Sequence, residues 1–231
     1  MVMIFPTEHV VSKELLDSAY RSLPNVETKF SLNEPTGDFF YDSWKIKEQF
    51  KDTVWEKILN SLSVGAIGEA RLINLNIERC YTMHADIDDR WHLSFDNNNS
   101  YLVDLSNTKI HQPEPGIWYS MDAGRLHSAV NFGDSARCQL VVRKLLSKHN
   151  LRKPVKIIIQ LDSPPPNYRY VLDKHISPML NRLCKNKKLS DFKSNTDRHL
   201  EFIIEKTSIP ELDNTVRLTD IGIKITYHDT F

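Results

Sequence analysis

The sequence predicts a mostly β protein of the sandwich or barrel type, with helices on its N-terminal side and a smaller α+β part after it. Three observations lead to this prediction. Short segments of alternating hydrophobicity follow one another between residues 69 and 144, polar turns separate them, and helical periodicity occurs only before and after this region. The predicted division is 1–150 for the β domain with its supporting helices and 151–231 for a C-terminal appendage or a decoration of the barrel.

Length and composition allow one sizeable core and exclude several classes of protein. The chain has 231 residues, 40% of them hydrophobic, and its 30 basic residues balance its 30 acidic residues. Such a balance gives no global attraction to nucleic acid or to an acidic membrane, and neither is an expected partner. The N-terminal segment is interrupted by Pro6 and Glu8, so we expect no secretion signal and no membrane anchor.

The cysteines favour a reducing compartment. Cys80, Cys138 and Cys184 are odd in number, far apart and without C-x-x-C spacing. This pattern indicates neither a disulfide framework nor a structural zinc site. We therefore expect a cytoplasmic protein.

Two helices are predicted before the strands. The first begins after Ser12 as N-cap and is closed by Pro24, and its apolar stripe consists of Leu15, Leu16, Ala19 and Leu23. Residues 25–43 are expected to be irregular. The second helix is expected to begin at Asp42 or Ser43 and to end near Gly65, with a stripe of Ile46, Phe50, Val54, Ile58 and Leu62.

The β region is predicted to contain seven short strands. Their expected ranges are 69–83, 90–95, 100–105, 109–111, 117–121, 126–131 and 136–143. The intervening turns, among them 96–99 and 113–116, are rich in Asn, Asp, Pro and Gly, which suits hairpins rather than crossover helices.

The C-terminal part mixes both kinds of pattern. We expect strands at 155–161 and 216–227 and helices at 178–184 and 197–205. The basic run at 182–188 is typical of a solvated face.

His84 and Asp86 are the candidate metal ligands around which the β region is arranged. In a strand, residues two apart project from the same face, so both side chains would point to one place. A site for Fe(II) needs two neutral imidazoles and one carboxylate, and the second imidazole has to come from elsewhere. Asp88 has the same parity as Asp86 and competes for the carboxylate role, although we expect Asp88 and Asp89 to cap the turn before the next strand.

His127 and Arg137 complete the arrangement. His127 lies in a predicted strand, and the turn at 131–134 should fold the next strand back beside it and bring Arg137 to the same cavity. Arg137 and Gln139 would face the interior, and the alternate residues Cys138, Leu140 and Val142 would face the packed side. Arginine binds a carboxylate with two parallel hydrogen bonds, which lysine cannot do as well.

This combination resembles the Fe(II)- and 2-oxoglutarate-dependent oxygenases over about residues 70–144. The likeness is greatest to the aspartyl/asparaginyl β-hydroxylase-like branch, which also contains hydroxylases of free proline. Arg90-x-His92 is similar to a pair with which this branch holds the oxo acid, and Asn131 fits the second block of the branch. Some members lack the carboxylate ligand, whereas Asp86 is present here, as in the proline hydroxylases.

The resemblance implies a double-stranded β-helix, the jelly-roll fold of the cupins, as the core. It implies Fe(II), 2-oxoglutarate and O2 as cofactor and co-substrates, and hydroxylation of an amino-acid side chain, free or peptidyl Asp, Asn or Pro, with release of succinate and CO2. The metal ligands would be His84, Asp86 and His127, and the oxo acid would be held by Arg137, Arg90 and His92. The substrate residues and the oligomeric state are not predicted.

Two other functions remain open at this point. Arg137 and Arg143 also match the Arg-x5-Arg pattern of the branch that dealkylates nucleic acids, although both are simply alternate members of one strand, and the neutral net charge argues against it. The chain could instead be a cupin-like metal protein that does not use 2-oxoglutarate. The two histidines could also be hydrogen-bonded histidines of the barrel, but the convergence of three ligand types favours a metal.

Overall fold

The computed structural model of the chain describes residues 3–23, 29–96, 98–196, 198–219 and 221–230. The chain forms two compact units. The first, called the N-terminal unit, comprises Met1–Thr82 and Asp88–Leu145, and the second, called the C-terminal unit, comprises Met83–Ile87 and Leu146–Phe231. Among the described residues, no helix is both long and apolar enough to cross a membrane.

The N-terminal unit is mostly β. Its strands are β1 (Ile4–Val10), β2 (Lys29–Ser31), β3 (Asn33–Pro35), β4 (Trp44–Ile46), β5 (Ala70–Leu75), β6 (Arg79–Cys80), β7 (Arg90–Ser94), β8 (Ser100–Asp104), β9 (Lys109–His111), β10 (Ile117–Met121), β11 (His127–Asn131) and β12 (Arg137–Arg143). Its helices are α1 (Lys13–Arg21) and α2 (Val54–Asn60), with a 3-10 turn at Glu48–Phe50. The predicted strands between residues 90 and 143 are confirmed to within one residue at each end.

These strands form two main antiparallel sheets. The larger sheet has the order β1-β10-β7-β12-β5-β2, and the smaller has the order β6-β11-β8-β9. β3 and β4 form a separate pair. From β5 onward the chain passes repeatedly from one sheet to the other, which brings the strands that carry the candidate site residues together.

Two apolar layers hold this unit together. One side of the larger sheet, including Leu72, Leu93 and Leu140, packs with residues of α1 and α2 in one core cluster. The other side packs against the smaller sheet in a second cluster that contains Tyr119 and Met121 of β10 together with Leu102 of β8 and Ala129 of β11. Cys138, Leu140 and Val142 all belong to the helix-facing layer, as their parity predicts.

The first helix follows its prediction and the second does not. Ser12 caps α1 by accepting a hydrogen bond from the Leu15 N–H at 3.3 Å, and Leu16 and Ala19 are buried. Pro24 lies outside the described residues. The helix predicted from residue 42 or 43 was wrong over its first half, because residues 44–46 pair with β3 and Asp52 has a positive φ of 57° that interrupts the helix.

The segment expected to be irregular contains short strands, and the N-terminal strand was not predicted. β2 and β3 lie within 25–43. β1 includes Pro6 and lacks a clean alternation, since it is an edge strand paired only with β10. An edge position tolerates a proline because one side of the strand donates no hydrogen bonds to a neighbour.

The C-terminal unit is an antiparallel sheet with helices. Its strands are β13 (Pro154–Gln160), β14 (Leu189–Thr196), β15 (His199–Glu205) and β16 (Lys224–Asp229), in the order β14-β15-β13-β16. Its helices are α3 (Tyr168–Val171), a π-helical turn (Leu172–Ile176), α4 (Ser177–Lys185) and α5 (Ile209–Arg217), with a 3-10 turn at Lys206–Ser208. The strand predicted at 155–161 and the helix predicted at 178–184 are confirmed.

Two predictions in this unit were wrong. The helix predicted at 197–205 is the strand β15, in which alternate residues Phe202 and Ile204 are buried. Asp197, where that helix was predicted to begin, lies outside the described residues. The final strand begins at Lys224 rather than at Val216, because α5 continues to Arg217.

Candidate metal centre and anion pocket

Three predicted ligands come together. One potential ligand atom from each of His84, Asp86 and His127 lies within 4.8 Å of the other two. The Nε2 atom of His84 is 3.8 Å from Oδ2 of Asp86. Ligands of a single transition metal lie about 3 Å apart, so small side-chain rotations are enough for these three to bind one ion.

The segment that carries His84 and Asp86 is not the strand that was predicted. β6 ends at Cys80, and residues 81–89 follow no regular ladder. Ala85 and Ile87 are nevertheless buried, while His84 and Asp86 are half-buried. Buried Ala85 and Ile87 thus alternate with half-buried His84 and Asp86, which is the alternation that the strand argument required.

His127 is the first residue of β11 and is buried. Its Nδ1 atom lies 2.8 Å from the carbonyl oxygen of Arg125, which can only accept a hydrogen bond. Nδ1 must therefore carry the proton, and Nε2 carries the lone pair. This tautomer is the one that a metal ligand needs, with the other ring nitrogen oriented by a backbone carbonyl.

The turn between β11 and β12 places Arg137. The Asn131 amide donates to the carbonyl oxygens of Leu75 at 2.9 Å and Ser135 at 2.8 Å, and its oxygen accepts from the Gly133 N–H at 2.9 Å. A Cβ atom at Gly133 would overlap Asn98, so only glycine fits there. Asn131 and Gly133 thus lock the hairpin that begins β12 at Arg137.

Arg137 is a buried cation. Its side chain is on the face of β12 opposite to the helix-facing layer, and the residue is only 2% exposed. Within the described part of the chain, its Nε and Nη2 atoms have no hydrogen-bond partner. Burial lowers the pKa of Arg137 to about 10, which still leaves it protonated at neutral pH. Buried donors are nearly always satisfied, so this guanidinium is a candidate binding group for an anion.

His92 lies on the neighbouring strand with the same orientation. Its Nδ1 atom is 3.2 Å from Oε1 of Gln139, whose amide in turn donates to Ser94 Oγ at 2.7 Å. The amide nitrogen of Gln139 donates to Ser94, so the amide oxygen faces His92 as an acceptor. Nδ1 of His92 therefore carries a proton. The Nε2 atom is buried with no partner among the residues that the structure describes. Gln139 was predicted to face the interior, but its role in orienting His92 was not.

The His92 ring is neutral. Burial is the largest cause that lowers its pKa well below 6.5, and the charges of Arg137, His127 and Arg90 act in the same direction against the Gln139 hydrogen bond. A carboxylate bound at Nε2 would require a proton on that atom. Binding of an anion there would therefore raise the pKa of His92.

Asp88 and Arg90 belong to a different group of charges. Asp88 is 2% exposed; its Oδ1 accepts from Nη2 of Arg90 at 3.2 Å, and its Oδ2 accepts from Nε of Arg143 at 2.6 Å. Burial alone would raise the pKa of Asp88, but the two guanidiniums outweigh it and hold the pKa at about 2. Asp88 thus binds two arginines, whereas Asp86 lies with the histidines. The rings of Phe39 and Phe40 cover Arg143, with centroids 4.2 and 4.6 Å from its central carbon.

The predicted oxo-acid residues are therefore not equivalent in the structure. Arg137 and His92 have buried polar atoms that no described residue satisfies, whereas the charge of Arg90 is matched by Asp88. The assignment of Arg90 to the oxo acid stays a prediction.

Comparison with known proteins gives similarity to solved structures alone. No protein-family model matches the sequence, and no curated protein matches it. A viral collagen prolyl hydroxylase from Paramecium bursaria Chlorella virus-1, solved as its 2-oxoglutarate complex, is 8% identical, with a TM-score of 0.41 over 62% of this chain and 95% of its own. A 2OG-Fe(II) oxygenase family oxidoreductase from Burkholderia pseudomallei is 12% identical, with a TM-score of 0.37 over 50% and 65%. AviO1 from Streptomyces viridochromogenes is 10% identical, with a TM-score of 0.39 over 61% and 88%.

Proposed function

We propose that this chain is an Fe(II)- and 2-oxoglutarate-dependent dioxygenase that hydroxylates an amino-acid side chain, free or within a peptide. The observation that carries the proposal is Arg137, a buried guanidinium with two unsatisfied nitrogens, in a chain whose His84, Asp86 and His127 converge. A metal-ligand set alone would suit many functions. A buried guanidinium with two nitrogens that no described residue satisfies adds a candidate group for binding an anionic ligand.

The strand order supports a double-stranded β-helix as the scaffold. Counting β5 to β12 as strands one to eight, the larger sheet holds six, three, eight and one in that order, and the smaller holds two, seven, four and five. This order is the one expected of an eight-stranded jelly roll and supports that part of the proposal. In it, the seventh and eighth strands start with His127 and Arg137.

The donor set fits Fe(II). Two imidazoles and one carboxylate on one side of a metal leave positions open for a co-substrate and oxygen. His127 has the tautomer that such a ligand needs, because its Nδ1–H is donated to a backbone carbonyl. Both imidazoles must be neutral to bind, so affinity for the metal should weaken in acid.

The buried donors of Arg137 and the His92 ring suit a dicarboxylate. Arg137 would bind the carboxylate that is distant from the metal, with two parallel hydrogen bonds from the nitrogens that now lack partners. His92 would donate to the co-substrate from Nε2 after gaining a proton, and Gln139 would keep its ring oriented. Because these groups lie in a water-poor interior, their interaction with an anion is stronger than it would be in solvent.

When bound, Fe(II), 2-oxoglutarate and O2 supply the oxidation, in which the oxo acid becomes succinate and CO2 while one oxygen atom enters a C–H bond of the substrate. The residues of this chain hold and orient the reactants. The assignment of an amino-acid side chain as substrate rests on the sequence resemblance, in which the Arg90-x-His92 pair, Asn131 and the presence of Asp86 are the distinguishing features.

Calorimetric titration of the Mn(II)-loaded protein with 2-oxoglutarate tests the proposal. We expect binding by the wild type and at least 100-fold weaker binding by Arg137→Gln, because the substitution removes a charge and a two-pronged donor. Arg79→Gln, at an exposed arginine of β6, is the matched control and should bind as the wild type does. Equal affinity of the Arg137→Gln variant and the wild type would favour a metal protein that does not use 2-oxoglutarate.

A further inference from the structure

The segment Met83–Ile87 carries two of the three candidate metal ligands but makes no regular strand, so something else must fix its course. This segment belongs to the C-terminal unit together with residues 146–231, although the sequence on either side of it belongs to the N-terminal unit. The C-terminal unit therefore supplies the packing for the backbone between His84 and Ile87.

Asn181 makes a specific contact with this segment. It lies on α4, is 4% exposed, and its Nδ2 atom donates to the Ile87 carbonyl oxygen at 2.6 Å. Ile87 directly follows Asp86. Buried peptide carbonyls are seldom left without a donor, so this hydrogen bond strongly favours one position of the backbone beside the metal ligand.

A π-helical turn aligns the helix with the segment. In the helical run from Tyr168 to Lys185, the Ser177 N–H donates to the Leu172 carbonyl five residues earlier, which inserts one extra residue into the helix. Asp173 and Asn181 are eight residues apart in sequence and, after that insertion, about two helical turns apart in space, so they lie on the same face.

The position of Asp173 agrees with this alignment. Its carboxyl pairs with Arg169 at 3.6 Å and lies close enough to interact electrostatically with both His84 and Asp86. The same face of the helix thus bears Asn181, which donates to the end of the ligand segment, and Asp173, which interacts electrostatically with His84 and Asp86.

We infer that Asn181 is a positioning residue for the metal centre: by holding the Ile87 carbonyl it fixes the backbone from which His84 and Asp86 project. The inference rests on the proposed function, since it takes these residues as metal ligands. Partners that orient metal ligands typically contribute 10–100-fold to metal affinity. Removing the amide should weaken metal binding by about that factor without changing the ligands themselves.

Electron paramagnetic resonance of Mn(II) added to the full chain tests the inference. Asn181→Leu keeps the branching of the side chain at Cγ and removes the donor. Asn181→Ser, whose hydroxyl is too short to reach Ile87, serves if the larger leucine does not allow folding. We expect about 10–100-fold weaker Mn(II) binding by either variant. The control is Leu183→Ala, which removes a buried apolar side chain from the same helix and should lower thermal stability while changing Mn(II) affinity less than about twofold.

The outcomes separate the two proposals. If the wild type binds Mn(II) and the Asn181 variants bind it equally well, the positioning role is wrong while the metal centre stands. If Leu183→Ala weakens Mn(II) binding as much as Asn181→Leu, affinity merely follows stability and the positioning role is also wrong. If the wild type does not bind Mn(II), the proposed function fails, and the inference with it.

Discussion

Arg143 binds Asp88 through two hydrogen bonds, with Nε 2.6 Å from Oδ2 and Nη2 2.8 Å from Oδ1. The two residues are 55 positions apart, and both are buried. The strand register places Arg143 opposite Arg90, so the carboxylate of Asp88 binds two arginines at once. This ion cluster, rather than the metal centre, is where Asp88 acts.

Asp88→Asn should be strongly destabilising. The substitution leaves the guanidiniums of Arg90 and Arg143 buried without a counter-charge, which typically costs about 3–5 kcal/mol. Urea unfolding would measure the loss. Asp17→Asn is the control, since Asp17 forms a solvent-exposed pair with Lys13 and should contribute less than about 1 kcal/mol. Similar losses in both variants would contradict the role assigned to Asp88.

The same carboxylate should make the protein sensitive to acid. The pKa of Asp88 in the folded protein is about 2, below its ordinary value of 3.8, so the unfolded chain binds the proton more tightly. Its contribution, about 2 kcal/mol, is complete above pH 3.8 and is lost as pH falls toward 2. Urea unfolding between pH 5 and pH 3 should show a steeper loss of stability in the wild type than in Asp88→Asn. Equal slopes would mean that Asp88 does not titrate this way.

Arg137→Met should leave the ligand-free protein as stable as the wild type or more so. The wild-type side chain buries a charge that has no partner for Nε and Nη2 among the described residues, and methionine fills similar space without that cost. A gain of about 1 kcal/mol would raise the melting temperature by roughly 2–4 °C. The matched control is Arg143→Met at the other end of β12, which breaks the pair with Asp88 and should lower the melting temperature. A large loss of stability in Arg137→Met would indicate a structural role.

His92 should remain neutral until an anion binds. Its pKa is well below 6.5 in the folded protein, so the unfolded chain binds the proton more tightly and acid below pH 6.5 destabilises the fold. Proton–carbon NMR of the histidine rings, assigned with a His92→Gln variant, should show no titration of His92 between pH 8 and pH 6. Exposed His228 supplies a reference signal. Addition of Zn(II) and 2-oxoglutarate should raise the pKa of His92. An ordinary titration of His92 in the ligand-free protein would contradict the claim that burial keeps the ring neutral.

Much of the β region could be predicted because local pattern and tertiary role agree there. Strands such as β7 and β12 alternate between a helix-facing apolar side and an interior side, and that alternation is visible in the sequence. The strand β15 was mistaken for a helix because its polar residues obscured the buried alternation of Phe202 and Ile204. The helix expected from residue 42 or 43 failed for a related reason: Ile46 and Phe50 pack against the same core from a strand and a 3-10 turn, at spacings that mimic a helix.

The candidate metal ligands could be picked out from the sequence, but the contacts around them could not. His84, Asp86 and His127 were found from chemistry, spacing and resemblance, and the structure brings them together. The choice between Asp86 and Asp88 depended on Arg143, which reaches Asp88 only through the pairing of β7 with β12. No sequence signal pointed to Asn181, since its partner is a backbone carbonyl 94 residues away.

The most direct test of the account is the conversion of 2-oxoglutarate by the purified protein. Succinate would be quantified by NMR with Fe(II) and O2, alone and with L-proline, L-asparagine, L-aspartate and peptides that contain them. We expect succinate to form in step with the loss of 2-oxoglutarate, only when Fe(II) and O2 are both present, and to be abolished in His84→Ala and Asp86→Ala. Turnover that survives in these variants, or a wild type that binds metal but never consumes 2-oxoglutarate, would contradict the account.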